Sequence, residues 1–258
     1  MILEKIIEVK KEEVAYLKRA RPLQELKHAI ADLPSPGNFF EAISGRECAI
    51  IAEVKRSSPS KGVMREDFDP GRIALAYEEN HAAAISVLTD NVFFGGDEIH
   101  LAAIKVCVGL PLLRKDFIID LYQIYETRYL HADAILLIAS ILEKKQLREY
   151  AGLAQSLGLS VLCEVHSESE LDKALSSDAG IIGINNRDLT TFSVDLNTSI
   201  SLAASIPVDR IIVSESGISS RSDIERLTNA GIHAFLIGET LMRSDDMGRK
   251  LRELLGDN

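Results

Sequence analysis

The sequence predicts an α/β protein, a (β/α)8 barrel with an N-terminal helical extension. Three observations carry that expectation. From residue 49 onward, eight short apolar runs rich in β-forming residues alternate with stretches of helical periodicity. Strand–helix units joined by short connections make a parallel sheet, and eight of them close on themselves. The 258 residues match the roughly 250 of a typical barrel of this kind. A doubly wound open sheet would have fewer strands and a glycine-rich first turn, and no G-x-G-x-x-G follows the first apolar run.

The elements follow in order. Residues 2–19 read as an amphipathic helix, with Ile2, Leu3, Ile6, Ile7, Val14 and Leu17 at roughly helical spacing. Within it, Lys10-Lys11-Glu12-Glu13 reads as a solvated face. Pro22 ends this helix. A second runs over 23–31 and stops before the turn cluster Pro34-Ser35-Pro36-Gly37. Residues 39–43 add a turn or two of helix. Residues 1–45 are thus a helical extension that a barrel does not require, and they are a candidate lid. Residues 48–258 form the barrel, and no linker divides the single domain. Strands are expected at 49–55, 84–88, 111–115, 134–138, 160–164, 181–185, 210–214 and 234–238. Helices are expected at 70–80, 97–108, 121–131, 143–157, 169–175, 199–204, 220–229 and 247–255. Asp69-Pro70 puts proline at a first helical position, Ser220 is a helix cap, and Gly231 lies just past a helix end.

Composition narrows the function. A 46% hydrophobic content suffices for one large core, and a net charge of -10 argues against a nucleic-acid partner. No apolar run reaches the ~20 residues of a membrane span, and no signal peptide opens the chain. A soluble, cytoplasmic protein is expected, with no membrane partner. Cys48, Cys107 and Cys163 lie in apolar runs and read as core residues of a protein in a reducing compartment. His81, His100, His131 and His233 lack metal-ligand spacing, so no metal is expected.

In a TIM barrel the site lies at the C-terminal ends of the strands. Six of the eight predicted ends are polar: Glu53-Val54-Lys55, Arg114-Lys115-Asp116-Phe117, Glu164-Val165-His166, Asn185-Asn186-Arg187-Asp188, Ser214-Glu215-Ser216-Gly217 and Gly238-Glu239-Thr240. The opposite ends carry little charge. Glu53 and Lys55, two apart on a strand, share one face, and inner-face charges are costly unless used. The bland alternative is a structural ion pair. After the seventh and eighth strands, Ser216-Gly217-Ile218 and Gly238-Glu239-Thr240 suit a phosphate held by backbone N–H groups, with 239–243 as the short extra helix. Gly217, Gly238 and Glu239 are the phosphate-binding candidates.

Ile51-Ala52-Glu53-Val54-Lys55 with Ser58-Pro59-Ser60-Lys61-Gly62, then Leu113-Arg114-Lys115-Asp116-Phe117-Ile118-Ile119-Asp120, come first. Glu164, Gly183-Ile184-Asn185-Asn186-Arg187-Asp188-Leu189, Ser214-Glu215-Ser216-Gly217-Ile218 and Phe235-Leu236-Ile237-Gly238-Glu239 follow. Their order and spacing resemble the indole-3-glycerol-phosphate synthase family of tryptophan biosynthesis over nearly the whole chain. The resemblance implies a reaction without metal or organic cofactor. The substrate would be a small phosphosugar, 1-(2-carboxyphenylamino)-1-deoxyribulose 5-phosphate, cyclised with loss of CO2 and water to indole-3-glycerol phosphate.

It also implies roles. Lys115 is the general acid for ring closure, and Lys55, balanced by Glu53, holds the substrate carboxylate. Glu164 is the base of dehydration, with Lys55 or Glu53 assisting the departing hydroxyl. Asn185 and Glu215 bond the sugar hydroxyls and orient the charged groups. Ser58, Phe117, Arg187 and Ser216 contact substrate, and Phe117 packs on the aromatic ring with Leu136 or Leu137. Lys61 is either a phosphate contact or a solvated lysine on a mobile loop. His166 is expected in solvent, and Arg114, where several relatives are neutral, is expected to point outward without consequence. A monomer is expected. The competing readings are another phosphosugar barrel, such as a phosphoribosylanthranilate isomerase, and a non-catalytic phosphosugar-binding barrel. Neither needs Lys55, Lys115 and Glu164 together.

Overall fold

Eight parallel strands pair in sequence order and close into a TIM barrel. They are β1 (Ala49–Val54), β2 (Ala84–Leu88), β3 (Leu112–Lys115), β4 (Ala134–Ile138), β5 (Ser160–Val165), β6 (Ile181–Asn185), β7 (Ile211–Glu215) and β8 (Ala234–Ile237). The structure is a computed structural model and describes residues 2–59, 61–188 and 191–257. Ser60 and Leu189 of the motifs above lie outside them. The helices are α1 (Ile2–Ala20), α2 (Leu23–Ala31), α3 (Phe39–Ile43), α4 (Pro70–Glu79), α5 (Asn91–Phe94), α6 (Glu98–Lys105) and α7 (Leu121–Tyr129). They continue as α8 (Lys144–Ser156), α9 (Glu168–Leu175), α10 (Asn197–Ala203), α11 (Arg221–Thr228), α12 (Glu239–Met242) and α13 (Met247–Leu255). Closure is completed by β1 pairing with β8, as in Ile51 beside Leu236, and with β2, as in Ile51 beside Ala84.

Alternation along each strand divides the core in two. Ile51, Ala84, Leu113, Ala134, Leu136, Leu162, Ile181, Val213 and Leu236 pack inside the barrel. Ile50, Ala52, Ile85, Leu112, Ile135, Leu137, Cys163, Ile182 and Phe235 pack outward against the helices. Counting two residues on from the inner set reaches Glu53, Lys115, Glu164, Gly183, Glu215 and Gly238. The strand period therefore delivers these groups to the inner face. It also decides between Leu136 and Leu137, because Leu137 belongs to the helix-facing core.

The N-terminal segment is strapped to the barrel. Phe39 and Ile43 of α3 join the inner cluster and fill the barrel at its N-terminal end. Arg128 of α7 donates to Leu33 O, and Tyr122 donates to Leu17 O and Arg21 O. Asp133, buried at the start of β4, accepts from Gly37 N at 2.6 Å and pairs with Lys105. The lower strand ends are thus not free of charge, and Asp133 is spent there on holding the chain that enters the barrel.

Two expectations fail at the upper end, the solvation of Lys10 and the inconsequence of Arg114. Lys10 is fully buried, on the same stripe of α1 as Ile6 and Val14. Its ammonium lies 2.9 Å from Asp116 Oδ1, 3.3 Å from Asp90 Oδ2 and 2.9 Å from Glu13 Oε2. Burial disfavours its charge, but these carboxylates outweigh that and hold its pKa above the ordinary lysine value. Arg114 does point away from the barrel interior, yet it is buried and consequential. It pairs with Glu126 at 2.9 Å and with Asp116 and Glu98 at 3.3 Å. Asp116 thereby joins α1, β3 and α7 in one network, and Thr89 donates to it at 2.6 Å. Asp90 also caps α5, a four-residue helix too short for periodicity to reveal. Of the cysteines, Cys163 is buried, Cys48 half-buried and Cys107 exposed, so core packing does not describe Cys107.

Candidate active site

A cleft opens at the C-terminal ends of the strands and encloses about 980 Å³, its open mouth included. Its floor is charged, one wall is apolar and the opposite wall is backbone. None of residues 2–45 lines it. The segment's buried anchors hold it against the flank and floor instead.

Lys115 stands at the centre of the floor. Its Nζ is 2.7 Å from Glu215 Oε2, 3.7 Å from Glu53 Oε2 and 3.9 Å from Glu164 Oε2. Lys55, one residue past β1, pairs with Glu53 Oε1. Burial opposes the charge on Lys115, but the carboxylates, Glu215 foremost, outweigh it and raise the pKa. Burial likewise opposes charge on Glu53, where Lys55 and Lys115 win and the pKa falls. Three carboxylates share two amines, so one is left short of compensation. It is Glu215, pushed up to about 7 by burial that Lys115 only partly offsets, with Glu164 adding repulsion.

Glu215 is buried beneath Lys115 and does not line the cleft. Of its two expected tasks, orienting the charged groups suits this placement and bonding the sugar hydroxyls does not. Two glycines make room for the acids. A Cβ on Gly183 would collide with Glu215 Oε1 and stand 2.6 Å from Leu162 Cδ2. A Cβ on Gly238 would collide with the Glu53 carboxylate.

The backbone wall is formed where β7 and β8 end. Ser216 and Gly217 both take positive φ, 67° and 81°. For serine this is a strained conformation that surrounding bonds must hold. Asn186 does so: its amide donates to Ser214 Oγ, Glu215 O and Ser216 O, and its oxygen accepts from Ser199. Asn186 is therefore a bolt between β6 and β7. Thr240 Oγ1 donates to Ile218 O at 2.6 Å, which ties the β7 loop to α12. The short helix expected at 239–243 is α12.

Glu239 is a phosphate-binding candidate for its backbone N–H, where a carboxylate turned away from the anion would suit. Its side chain does not turn away but lines the cleft, 3.3 Å from Arg187 and 3.6 Å from both Lys61 and Arg243. Lys61 is 47% exposed and reaches only this carboxylate among the described residues. Asn185 lines the cleft and accepts from Arg187 N at 3.0 Å. Ser58 lines it with a buried hydroxyl that has no partner among the described residues.

The apolar wall pairs Phe117 with Phe94 of α5, ring centroids 6.0 Å apart, and adds Leu88, Leu136, Ile138 and Leu236. Sequence reasoning missed Phe94. The signal was present in Val92-Phe93-Phe94, two aromatics just after a predicted strand end. His166 was expected in solvent but is tucked beside Glu164 and Glu170, 14% exposed.

Known proteins bear on this arrangement. The family model described as indole-3-glycerol phosphate synthase matches residues 3–254. An indole-3-glycerol phosphate synthase of Alkaliphilus metalliredigens is 51% identical over 98% of this chain and 98% of its own. One of Aromatoleum aromaticum is 46% identical over 99% of each. Among solved structures, a mutant tryptophan synthase alpha-subunit of Pyrococcus furiosus superposes with a TM-score of 0.63 over 82% of this chain and 99% of that one. At 16% identity this shares the fold alone. The match of family model and relatives along nearly the whole length sets aside the isomerase and the non-catalytic barrel. The chain belongs to the indole-3-glycerol phosphate synthase family.

Proposed function

We propose that the chain acts as a carboxy-lyase that closes the indole ring of 1-(2-carboxyphenylamino)-1-deoxyribulose 5-phosphate by the charged floor described above. One observation carries this reading: Lys115 and Lys55 meet Glu53 and Glu164 in a single cleft between an aromatic wall and a backbone cradle, with Glu215 buried beneath Lys115. The substrate has matching parts in the same order. Its benzoate ring suits Phe94, Phe117 and Leu136, its carboxylate suits Lys55, and its phosphate suits the N–H groups around Gly217 and Gly238.

In the first step the ring carbon bearing the carboxylate attacks the ketone, and the oxygen takes up a proton. Lys115 is charged at neutral pH and supplies it, acting as general acid. The carboxylate then leaves as CO2, and the electrons of the broken bond restore the aromatic ring. Dehydration follows. Glu164 accepts a proton from the neighbouring carbon, while Lys55 protonates the departing hydroxyl and the ionised Glu53 holds Lys55 in place. Asn185 orients Arg187, and Ser58 offers its unpaired hydroxyl to the substrate. Every step runs on acids and bases of the chain, without metal or organic cofactor.

A monomer in the cytoplasm belongs to the same reading. Exposed large apolar side chains such as Tyr16, Val63 and Val208 lie on separate elements, which supports the first part. Three unpaired cysteines support the second. No helix among the described residues is long and apolar enough to cross a membrane. The test of the function is an indole absorbance or fluorescence signal on adding the carboxyphenylamino sugar phosphate. The chain has no tryptophan, so the protein background is small. A pure, folded preparation that gives no such signal sinks the reading.

A further inference from the structure

His166 has no part in the chemistry above, yet its setting is specific. It directly follows β5, and its backbone N–H donates to Glu170 Oε2 at 2.8 Å. Ring Nδ1 lies 3.2 Å from that same oxygen. Glu170 sits in the first turn of α9, so one carboxylate oxygen grips both the backbone and the ring. A ring nitrogen against a carboxylate carries the hydrogen, which makes Nδ1 a donor. Nε2 then faces the other way. It is buried, makes no hydrogen bond among the described residues, and lies 3.4 Å from Glu164 Oε1. A neutral ring with its hydrogen on Nδ1 would aim a lone pair at that carboxylate. The charged ring aims an N–H instead.

We propose that His166 is a positioning residue for this reaction: anchored by Glu170, it grips Glu164 through Oε1 and leaves Oε2 turned to Lys115 and the substrate. This deepens the reading of Glu164 as base and rests on it. A carboxylate held at one oxygen has its rotamer fixed, and its free oxygen meets the substrate in a single orientation. Glu164 is then bracketed, with His166 on Oε1 and Lys115 at 3.9 Å from Oε2.

The groups that face the ring set its charge. They are Glu164 on β5, Glu170 on α9 and Glu215 on β7, while Lys173 of α9 acts on Glu170. Burial would lower the imidazole pKa, but the bond to Glu170 and the carboxylates outweigh it and raise it above the ordinary histidine value. The grip is therefore present below that raised value and is released as pH climbs through it.

Two measurements test this. In the first, kcat and KM are followed against pH for wild type, His166→Leu and His166→Gln. His166→Leu should lower kcat on the order of tenfold with KM within about twofold, because orientation is lost and binding is not. His166→Gln puts an uncharged donor near Nε2 and should recover most of kcat. It should also lose the decline in kcat that the wild type shows on the alkaline side of the histidine titration. In the second, the ring of His166 is titrated by NMR with labelled histidine in wild type and Glu164→Gln. Removing the facing carboxylate should move its titration down by about one pH unit. An unmoved titration, or a folded His166→Leu with wild-type kcat at every pH, overturns the inference. The titration requires no turnover, so a wild-type protein that makes no indole counts against the functional reading and not against the pairing.

Discussion

At the scale of single residues, the floor of the cleft works through an imbalance: three acids around two amines. Lys115→Ala should lower ring closure by at least about 10²-fold while leaving substrate binding measurable, since the cradle and aromatic wall remain. Full turnover by the variant would reject Lys115 as the acid. Glu215 gives a pH signature. Its pKa is about 7 in the folded chain against 4.5 for the free group. Between those values the folded state keeps a proton that the unfolded state has lost, so this group's contribution to stability declines as pH rises through the window. Glu53 runs the opposite way, because its lowered pKa gives a contribution that is present at neutral pH and lost on acidification. Glu215→Gln should therefore gain on wild type by about 1–3 kcal/mol in unfolding free energy between about pH 5 and about pH 8, while losing activity. A difference that stays constant with pH would refute this. The residues that meet on the floor were legible because strand parity and strand ends fix them together. The roles of Gly183 and Gly238 were not, because a glycine's use as empty space depends on which acid stands opposite.

At the scale of elements, α1 and α3 are tied to the barrel by buried contacts. α1 is nailed down by one buried cation, and removing a single member of a buried ion network leaves the others uncompensated, at a cost of about 3–5 kcal/mol. Lys10→Met should show a loss of that size in chemical denaturation, and Lys10→Met with Asp116→Asn should recover part of it. A loss under about 1 kcal/mol would mean water already reaches the site. The sequence did hold a sign of this. Ile6, Lys10 and Val14 are spaced four apart, and a lysine inside an apolar stripe needs an acid to meet it. What the local pattern could not supply was the partner, because Asp90 and Asp116 come from the ends of β2 and β3. Phe39 makes the complementary case at the floor. Phe39→Ala should cost about 3–5 kcal/mol through the cavity it leaves, yet change kcat little, because it lies at the opposite end of the barrel from the cleft. A loss of activity with unchanged stability would contradict that assignment.

At the scale of the whole molecule, the fold was legible almost throughout. Eight apolar runs at regular intervals leave few closed architectures, and the strand edges fell within a residue or two of expectation. The exceptions, α5 and the pairing of 57–58 with 62–63, are each too short to carry a period. The extension is where the whole and the parts disagree. Removing residues 1 to about 33 should leave a folded but weakened barrel, whereas removal through residue 45 takes away Phe39 and Ile43 and should expose the inner core to aggregation. Equal solubility of the two truncations would show that α3 is dispensable. The strap also sets an order of events during synthesis. Lys18 of α1 meets Asp120, 102 residues further along, and Phe39 packs in a cluster that includes Ala234 and Leu236 of the last strand. At about 5–20 residues per second, α1 waits roughly 5–20 s on the ribosome before its seat exists. α1 thus waits for β2, β3 and α7 while Phe39 waits for the last strand, and the nascent chain carries an unpaired apolar stripe in the meantime.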